Sequence, residues 1–343
     1  MPTPCRAAAA TFVSRITESD LPELRRLSAS RRRAFALDLC ALLDFATPGG
    51  ERASGSPSPS AGGLRAAMMV DHVPGMTSRS ACALVDRLSL AARRWVPDAR
   101  NLRVFEVRDV VIIAHAPRLR DELLGWRGAG VGASAETTRH RRLIDVLPAA
   151  GPAVAVAAVC DALARAADAI AEEASEAGEE GTDDEDARDE EGSLRRKRSE
   201  SADLVAALGA VAERLVPPPT LVGACLGYPR VYAWSDAGDV ASAARALSSE
   251  TLVVYEAFAR FRGNDRDGDV GGEKKAAADA SAIRVCGFTA PARSAEEDAE
   301  AAHRDHDVRV WLEDMRERAA AGGDVWTDLE LRVATRGAGP VAL

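Results

Sequence analysis

Residues 220–261 constrain the fold more than any other part of the sequence. Two apolar runs, at 221–225 and 231–234, are separated by the turn-forming triplet Gly227, Tyr228 and Pro229. Because glycine and proline interrupt regular structure, this pattern predicts two strands joined by a turn. An alanine-rich helix follows, and then a strand in which every second residue from Val253 is apolar. Strands and helices that alternate in this way predict an α/β fold.

The same alternation extends to both sides of that segment. It predicts strands at 66–70, 102–107, 110–114, 143–147, 283–285 and 328–333, and helices at 20–27, 35–43, 77–94, 117–124, 204–215 and 308–315. No second linker separates two complete cores, so we expect one domain over residues 16–343. Its fold class is α/β (or α+β), with a mixed sheet flanked by helices and with disordered insertions.

Three segments lack the composition of a packed core. Residues 47–63 are rich in Pro, Gly and Ser and predict a flexible loop, and residues 262–280 predict a polar loop. Residues 172–201 contain one large apolar side chain, Leu194, in a dense run of charges, which predicts a disordered acidic and basic insertion.

The charge distribution limits the classes of partner. The net charge is −9, but residues 172–198 alone hold twelve acids and five bases, so the rest of the chain is near neutral. Such a chain lacks the broad positive field that attracts phosphate backbones, and this disfavours nucleic acid as a partner. No apolar run approaches the length of a membrane-spanning helix, so no membrane association is expected.

The cysteines and the first residues bear on the compartment. Six cysteines are scattered without a CxxC pair, which is typical of reduced thiols in a cytoplasmic or nuclear protein. The first seventeen residues contain Arg6 and Arg15 and no acid, as organelle transit peptides do. The alternative is a frayed N-terminus.

Four polar residues are candidates for catalysis because they follow or end predicted strands. Asp71 and His72 follow the first strand, His115 follows the third, and Asp145 lies in the next. In a parallel sheet the carboxyl ends of strands share one ligand crevice, where carboxylates and imidazoles perform acid–base chemistry or hold a metal. The alternative is that these side chains cap helices or make ordinary hydrogen bonds.

Other motifs fail on spacing. Asp265, Asp267 and Asp269 resemble a calcium loop, but the sixth and twelfth positions lack the required glycine and glutamate. The glycines at 128, 130 and 132 follow a helix rather than a strand, and His303 and His306 have no third ligand. These motifs therefore predict no cofactor and no metal.

A compact basic cluster lies inside the predicted insertion: Arg195, Arg196, Lys197 and Arg198. Such a cluster in a disordered segment suits a nuclear-import receptor, and phosphorylation of the adjacent Ser199 or Ser201 would weaken that contact. The alternative is that the four cations offset the acidic run before them.

Short segments of the chain resemble one eukaryotic family. They are the helix at 36–40, the strand at 110–113 and, above all, Leu226-Gly227-Tyr228-Pro229 with Tyr232. The chain is similar at these places to the family of the chromosome 1 open reading frame 74 protein. That family has no established activity, so the resemblance implies a shared fold and no catalytic residue.

Two functions remain open at this point. The first is a noncatalytic intracellular module whose acidic insertion mediates contacts with protein partners of unknown identity or is regulated. The second is a small-molecule hydrolase or metal-dependent enzyme that uses the strand-end Asp and His residues. Convergence of Asp71, His72, His115 and Asp145 in one pocket would favour the enzyme.

Overall fold

A computed structural model of the chain describes residues 4–18, 22–45, 63–70, 73–92, 96–107, 109–126, 141–145, 161, 165, 167, 218–234, 240–262, 282–292, 306–322 and 325–339. Nearly all of the 47–63 loop, the whole 172–201 insertion with its basic cluster, and residues 263–280 of the polar loop lie outside these ranges. The predictions for those segments are therefore not tested.

Two helices form the N-terminal layer. Helix α1 spans Pro4–Thr17 and buries Ala9, Phe12, Val13 and Ile16, which share one face at helical spacing. Helix α2 spans Ala29–Cys40, and the Ser28 side chain caps it by accepting a hydrogen bond from the backbone of Arg31. The expectation of a frayed N-terminus is wrong, because this apolar face packs into the core. The prediction of a helix over 20–27 is also wrong, because residues 22–26 form turns.

Sheet 1 is antiparallel and follows these helices. It contains β1 (Ala67–Met69), β2 (Leu102–Val107) and β3 (Val110–His115) in the order β1-β3-β2. Helix α3 (Ser78–Ala92) and a 3-10 turn (Pro97–Asn101) connect β1 to β2, and helix α4 (Ala116–Leu124) leaves β3 directly. The strands and helices predicted for residues 66–124 are confirmed within a few residues at their ends.

Sheet 2 is a parallel pair of β4 (Arg142–Asp145) and β5 (Arg230–Ala233). The prediction of a strand at 221–225 is wrong, because this apolar run belongs to helix α5 (Pro218–Cys225). The prolines begin this helix, because proline suits the first helical turn, where its missing N–H is not needed. The helix is apolar around most of its circumference because it is buried.

The C-terminal part forms the antiparallel sheet 3. Helix α6 (Val240–Ser248) leads into β6 (Leu252–Phe261), which pairs with β7 (Ala282–Pro291) on one side and β8 (Trp326–Arg336) on the other. Helix α7 (His306–Ala321) packs one face, with Val308, Trp311, Leu312 and Met315 buried. All five of these elements were predicted.

The main apolar core draws on both ends of the chain. It joins side chains of α1 and α2 to the inner face of sheet 3 and to α7, whereas α4, α5 and the other face of sheet 1 enclose a second cluster. The mixed α/β fold class is thereby confirmed. Among the described residues, no helix is both long enough and apolar enough to cross a membrane.

Candidate functional site

The proposed strand-end site depended on parallel strands, and β1 and β3 are antiparallel. Met69 pairs with Ile112 near the start of β3, whereas His115 at its other end donates its N–H to Ala66 at 2.8 Å. The carboxyl end of β1 therefore points away from His115. The premise of a parallel edge is therefore wrong here. Strand β2 is antiparallel to β3 as well, since only two residues connect them and so short a connection permits no parallel pairing.

The remaining candidates are not brought together by the described residues. Asp71 and His72 lie outside the described ranges. Asp145 ends β4 in sheet 2, where its backbone pairs with Ala233, and its side chain is not described. Within the described ranges no group of three His, Cys, Asp or Glu side chains could hold a metal ion.

His115 is held in a buried network in which both ring nitrogens are engaged. Its Nδ1 accepts the backbone N–H of Arg118 at 3.4 Å and so caps α4, and its Nε2 lies 2.7 Å from Oδ1 of Asp98. Because Nδ1 is an acceptor, Nε2 carries the proton and donates to Asp98. This arrangement corresponds to the helix-capping alternative, and it leaves no imidazole nitrogen for a substrate.

Charges around this network set its ionisation. Burial lowers the pKa of His115, and the Arg118 guanidinium acts in the same direction, so the ring is neutral at pH 7 despite the hydrogen bond to Asp98. Burial alone would raise the pKa of Asp98. The hydrogen bond from His115, the charge of Arg118 and the N–H of Asp44 outweigh burial and lower the pKa of Asp98 to about 2.

The Gly227-Tyr228-Pro229 turn joins α5 to β5 rather than two strands. Gly227 has φ +71°, its N–H donates to Ala224, and the N–H of Tyr228 donates to Gly223. These two bonds define a Schellman motif, in which glycine ends a helix in the left-handed conformation. The triplet is therefore a structural turn, as predicted, although the element before it was misidentified.

Contacts of this turn fix helix α7 against sheet 3. The Gly227 carbonyl accepts the indole N–H of Trp311 at 3.0 Å, and the Tyr228 ring lies 5.6 Å from the ring of Phe288. Arg230 then makes a bidentate ion pair with Asp307, at 2.8 and 2.9 Å. The turn and Arg230 thus hold α7 and β7 in place beside a neighbouring cleft.

The cleft lies between α5, β5 and the outer face of sheet 3 and has a volume of about 720 Å³. This volume is typical of ligand-binding pockets. The lining from α5, the residue after it and sheet 1 is mainly apolar, with Asp109 as its one carboxylate: Pro218, Pro219, Val222, Leu226, Met69, Val107 and Val110. The lining from β6 and β7 contains Val254, Glu256, Arg284, Gly287 and Thr289.

Two polar pairs lie on the walls of the cleft. Oε1 of Glu256 accepts a hydrogen bond from Arg284 at 2.9 Å, and the Arg284 side chain is 64% exposed. The Tyr232 hydroxyl lies 2.8 Å from the Thr289 hydroxyl. Burial raises the pKa of Tyr232, so its hydroxyl stays protonated at neutral pH. The cleft therefore combines an apolar wall with both hydrogen-bond donors and acceptors.

The described cysteines add no nucleophile to this site. Cys40, Cys225 and Cys286 are buried thiols, and none of the described cysteines lines the cleft. Burial raises the pKa of Cys40, and it raises the pKa of Cys225 and of Cys286 to about 12. Thiols with such pKa values stay protonated at neutral pH and are poor nucleophiles.

Sequence reasoning did not find this cleft. The alternation in β6 did indicate that Val254 and Glu256 leave the core together. The residue that faces Glu256 depends on the register of β7, and that register contains a bulge near Phe258.

Comparison with known protein families, with curated proteins and with solved structures finds no match to the chain.

Proposed function

We propose that this protein is a noncatalytic interaction module and that it binds a segment of a partner protein in the cleft beside β6 and β7. The observation that carries the proposal is that the paired Glu256 and Arg284 line the same cleft as the apolar residues of α5. A peptide group offers one N–H and one C=O. A carboxylate next to a guanidinium presents the matching acceptor and donors.

The apolar wall supports the same class of partner. Val222 on α5 and Leu226, the residue that follows α5, are one helical turn apart, and both line the cleft. Apolar side chains of a bound segment would contact them while its backbone faces Glu256 and Arg284. Burial of apolar surface would then supply the affinity, and the polar pair would fix the orientation of the segment.

The enzymatic alternative has less support. It requires an available acid, base or nucleophile, and His115 uses both ring nitrogens within the protein. The resemblance to the chromosome 1 open reading frame 74 family is likewise a proposal, and it is compatible with either function. A location in the cytoplasm or nucleus remains a proposal as well.

A blocking substitution tests the binding proposal. A Cβ at Gly287 would meet its nearest atoms at 3.6 to 3.8 Å, which is ordinary contact, so the backbone accepts a side chain there. Gly287 lines the cleft, and a Gly287→Trp side chain would fill part of it. The matched control is Leu90→Trp, which adds the same side chain at a position that is 52% exposed.

The assay is selection of random peptides displayed on phage against the wild-type protein. We expect selected peptides to carry apolar side chains, to lose binding at least about tenfold with Gly287→Trp, and to keep it with Leu90→Trp. Both variants should unfold in urea near the wild-type midpoint. Peptides that bind the Gly287→Trp variant as tightly as wild type, or no selected peptide at all, would contradict the proposal.

A further inference from the structure

Strand β8 forms an edge of sheet 3. Nine of its eleven residues pair with β6 on one side, and among the described residues no strand pairs with the other side. An edge of this length presents backbone N–H and C=O groups that another strand can bind. The cleft lies at the opposite side of the sheet, beside β7, so the two surfaces are separate.

Side chains alternate along this edge in a self-complementary order. Leu329, Leu331 and Val333 are half-buried and pack on the core side of the sheet. Glu330 and Arg332 point to the other face, with side chains 62% and 46% exposed. Each apolar side chain thus has another apolar side chain two residues away in the strand. In the same way, the negative Glu330 and the positive Arg332 are two residues apart.

We propose that β8 pairs with β8 of a second copy of this chain, antiparallel, about a two-fold axis at Leu331. In this register Leu331 faces itself, and Leu329 faces Val333 of the other copy. Glu330 faces Arg332 of the other copy, and by symmetry this ion pair forms twice. Apolar contacts lie on one face of the joined sheets and two ion pairs on the other.

The backbone supports a register centred on an odd-numbered residue. The Leu329 carbonyl accepts a hydrogen bond from the Arg316 side chain at 3.4 Å, and Leu329 has no partner residue in the β6 register. In an antiparallel strand, alternate residues direct both backbone groups to the same side. Leu329, Leu331 and Val333 therefore face the edge, and Glu330 and Arg332 fall at the closer, non-hydrogen-bonded positions, where side-chain pairs interact most.

A bulge limits the length of the pairing. Asp328 has φ +53°, and Asp328 and Leu329 both lie opposite the single residue Ala259. Bulges twist an edge strand and end regular pairing. The contact is therefore centred on residues 329–333, which favours a closed dimer over an open array of strands.

Charge reversal tests the ion pairs. Glu330→Arg places two arginines opposite each other at both symmetric positions, and Arg332→Glu does the same with two glutamates. We expect each single variant to raise the dimer dissociation constant at least about tenfold. The double variant Glu330→Arg/Arg332→Glu restores opposite charges and should return the constant to the wild-type range. Sedimentation equilibrium measures the constant, and urea unfolding checks that each monomer folds.

Cross-linking tests the register. At the two-fold axis the Cα atoms of Leu331→Cys would be about 5.5 Å apart, which a disulfide can span. Val333→Cys is the matched control, because its two copies would be offset by four residues, about 13 Å. On oxidation by air with copper phenanthroline, Leu331→Cys should form a covalent dimer, and Val333→Cys and the wild type should not.

Three results would overturn the proposal. The first is a wild-type protein that stays monomeric at every concentration measured. The second is a dimer whose dissociation constant does not change with either single reversal. The third is a cross-link through Val333→Cys in preference to Leu331→Cys.

Discussion

Replacing Asp98 by asparagine should destabilise the protein strongly at neutral pH. The Asp98 carboxylate binds His115, the Arg118 guanidinium at 3.3 Å and the backbone N–H of Asp44 at 2.8 Å. Its pKa falls from 3.8 to about 2 on folding. That shift corresponds to about 2 kcal/mol of stability carried by the ionised form. The charge of Arg118 is one cause of that shift, so we expect Asp98→Asn to lower the free energy of unfolding by about 2 kcal/mol.

The sign of the pH dependence follows from the direction of the shift. Because folding lowers the pKa of Asp98, its contribution is present in full above 3.8 and is lost as pH falls toward about 2. The difference between wild type and Asp98→Asn should therefore shrink in that window. Urea unfolding followed by circular dichroism measures it, with Asp328→Asn as control, since that carboxylate is 55% exposed in its pair with Arg260. An Asp98→Asn variant as stable as wild type, or a difference unchanged at low pH, would refute this reasoning.

Further predictions concern the turn and the insertion. Gly227→Ala should lower the free energy of unfolding by about 1 kcal/mol, because φ is +71° there; Gly337→Ala, with nothing near its Cβ and an ordinary φ, should change it little. Tyr228→Ala should lower it by about 2 kcal/mol through loss of the contact with Phe288, and a variant as stable as the parent in urea would exclude a packing role. A fluorescent reporter that carries residues 172–201 should concentrate in the nucleus and lose that location when the basic residues at 195–198 become alanine; equal distribution of both reporters would refute the import signal.

Local periodicity accounts for the parts of the fold that the sequence predicted correctly. Strand β6 and helix α7 each bury one face over ten or more residues, and such long patterns have a single interpretation. The run at 221–225 is too short for its period to distinguish a buried strand from a buried helix. The prolines next to this run do not separate it from a helix, because proline suits the first helical turn and Pro218 begins α5.

The candidate site was harder to predict because it depends on pairing between distant segments. His115 and Asp98 were both visible in the sequence, yet their contact requires the end of β3 to lie against the turn before β2. Glu256 and Arg284 are 28 residues apart and meet only through the β6–β7 register. No local pattern specifies strand register across an intervening loop, so the cleft could not be derived from composition or spacing.

Two buried arginines join separate elements of this protein. Arg118 joins α4 to the carbonyl of Leu42 and to Asp98, and Arg230 joins β5 to Asp307 at the start of α7. Each guanidinium is planar and donates hydrogen bonds to its partner in one preferred orientation. Breaking such a buried pair is costly. Apolar packing alone would tolerate small shifts between these elements. We therefore infer that Arg230, through Asp307 and the Tyr255 hydroxyl, fixes how α7 and sheet 3 dock on sheet 2, and hence the shape of the cleft beside them.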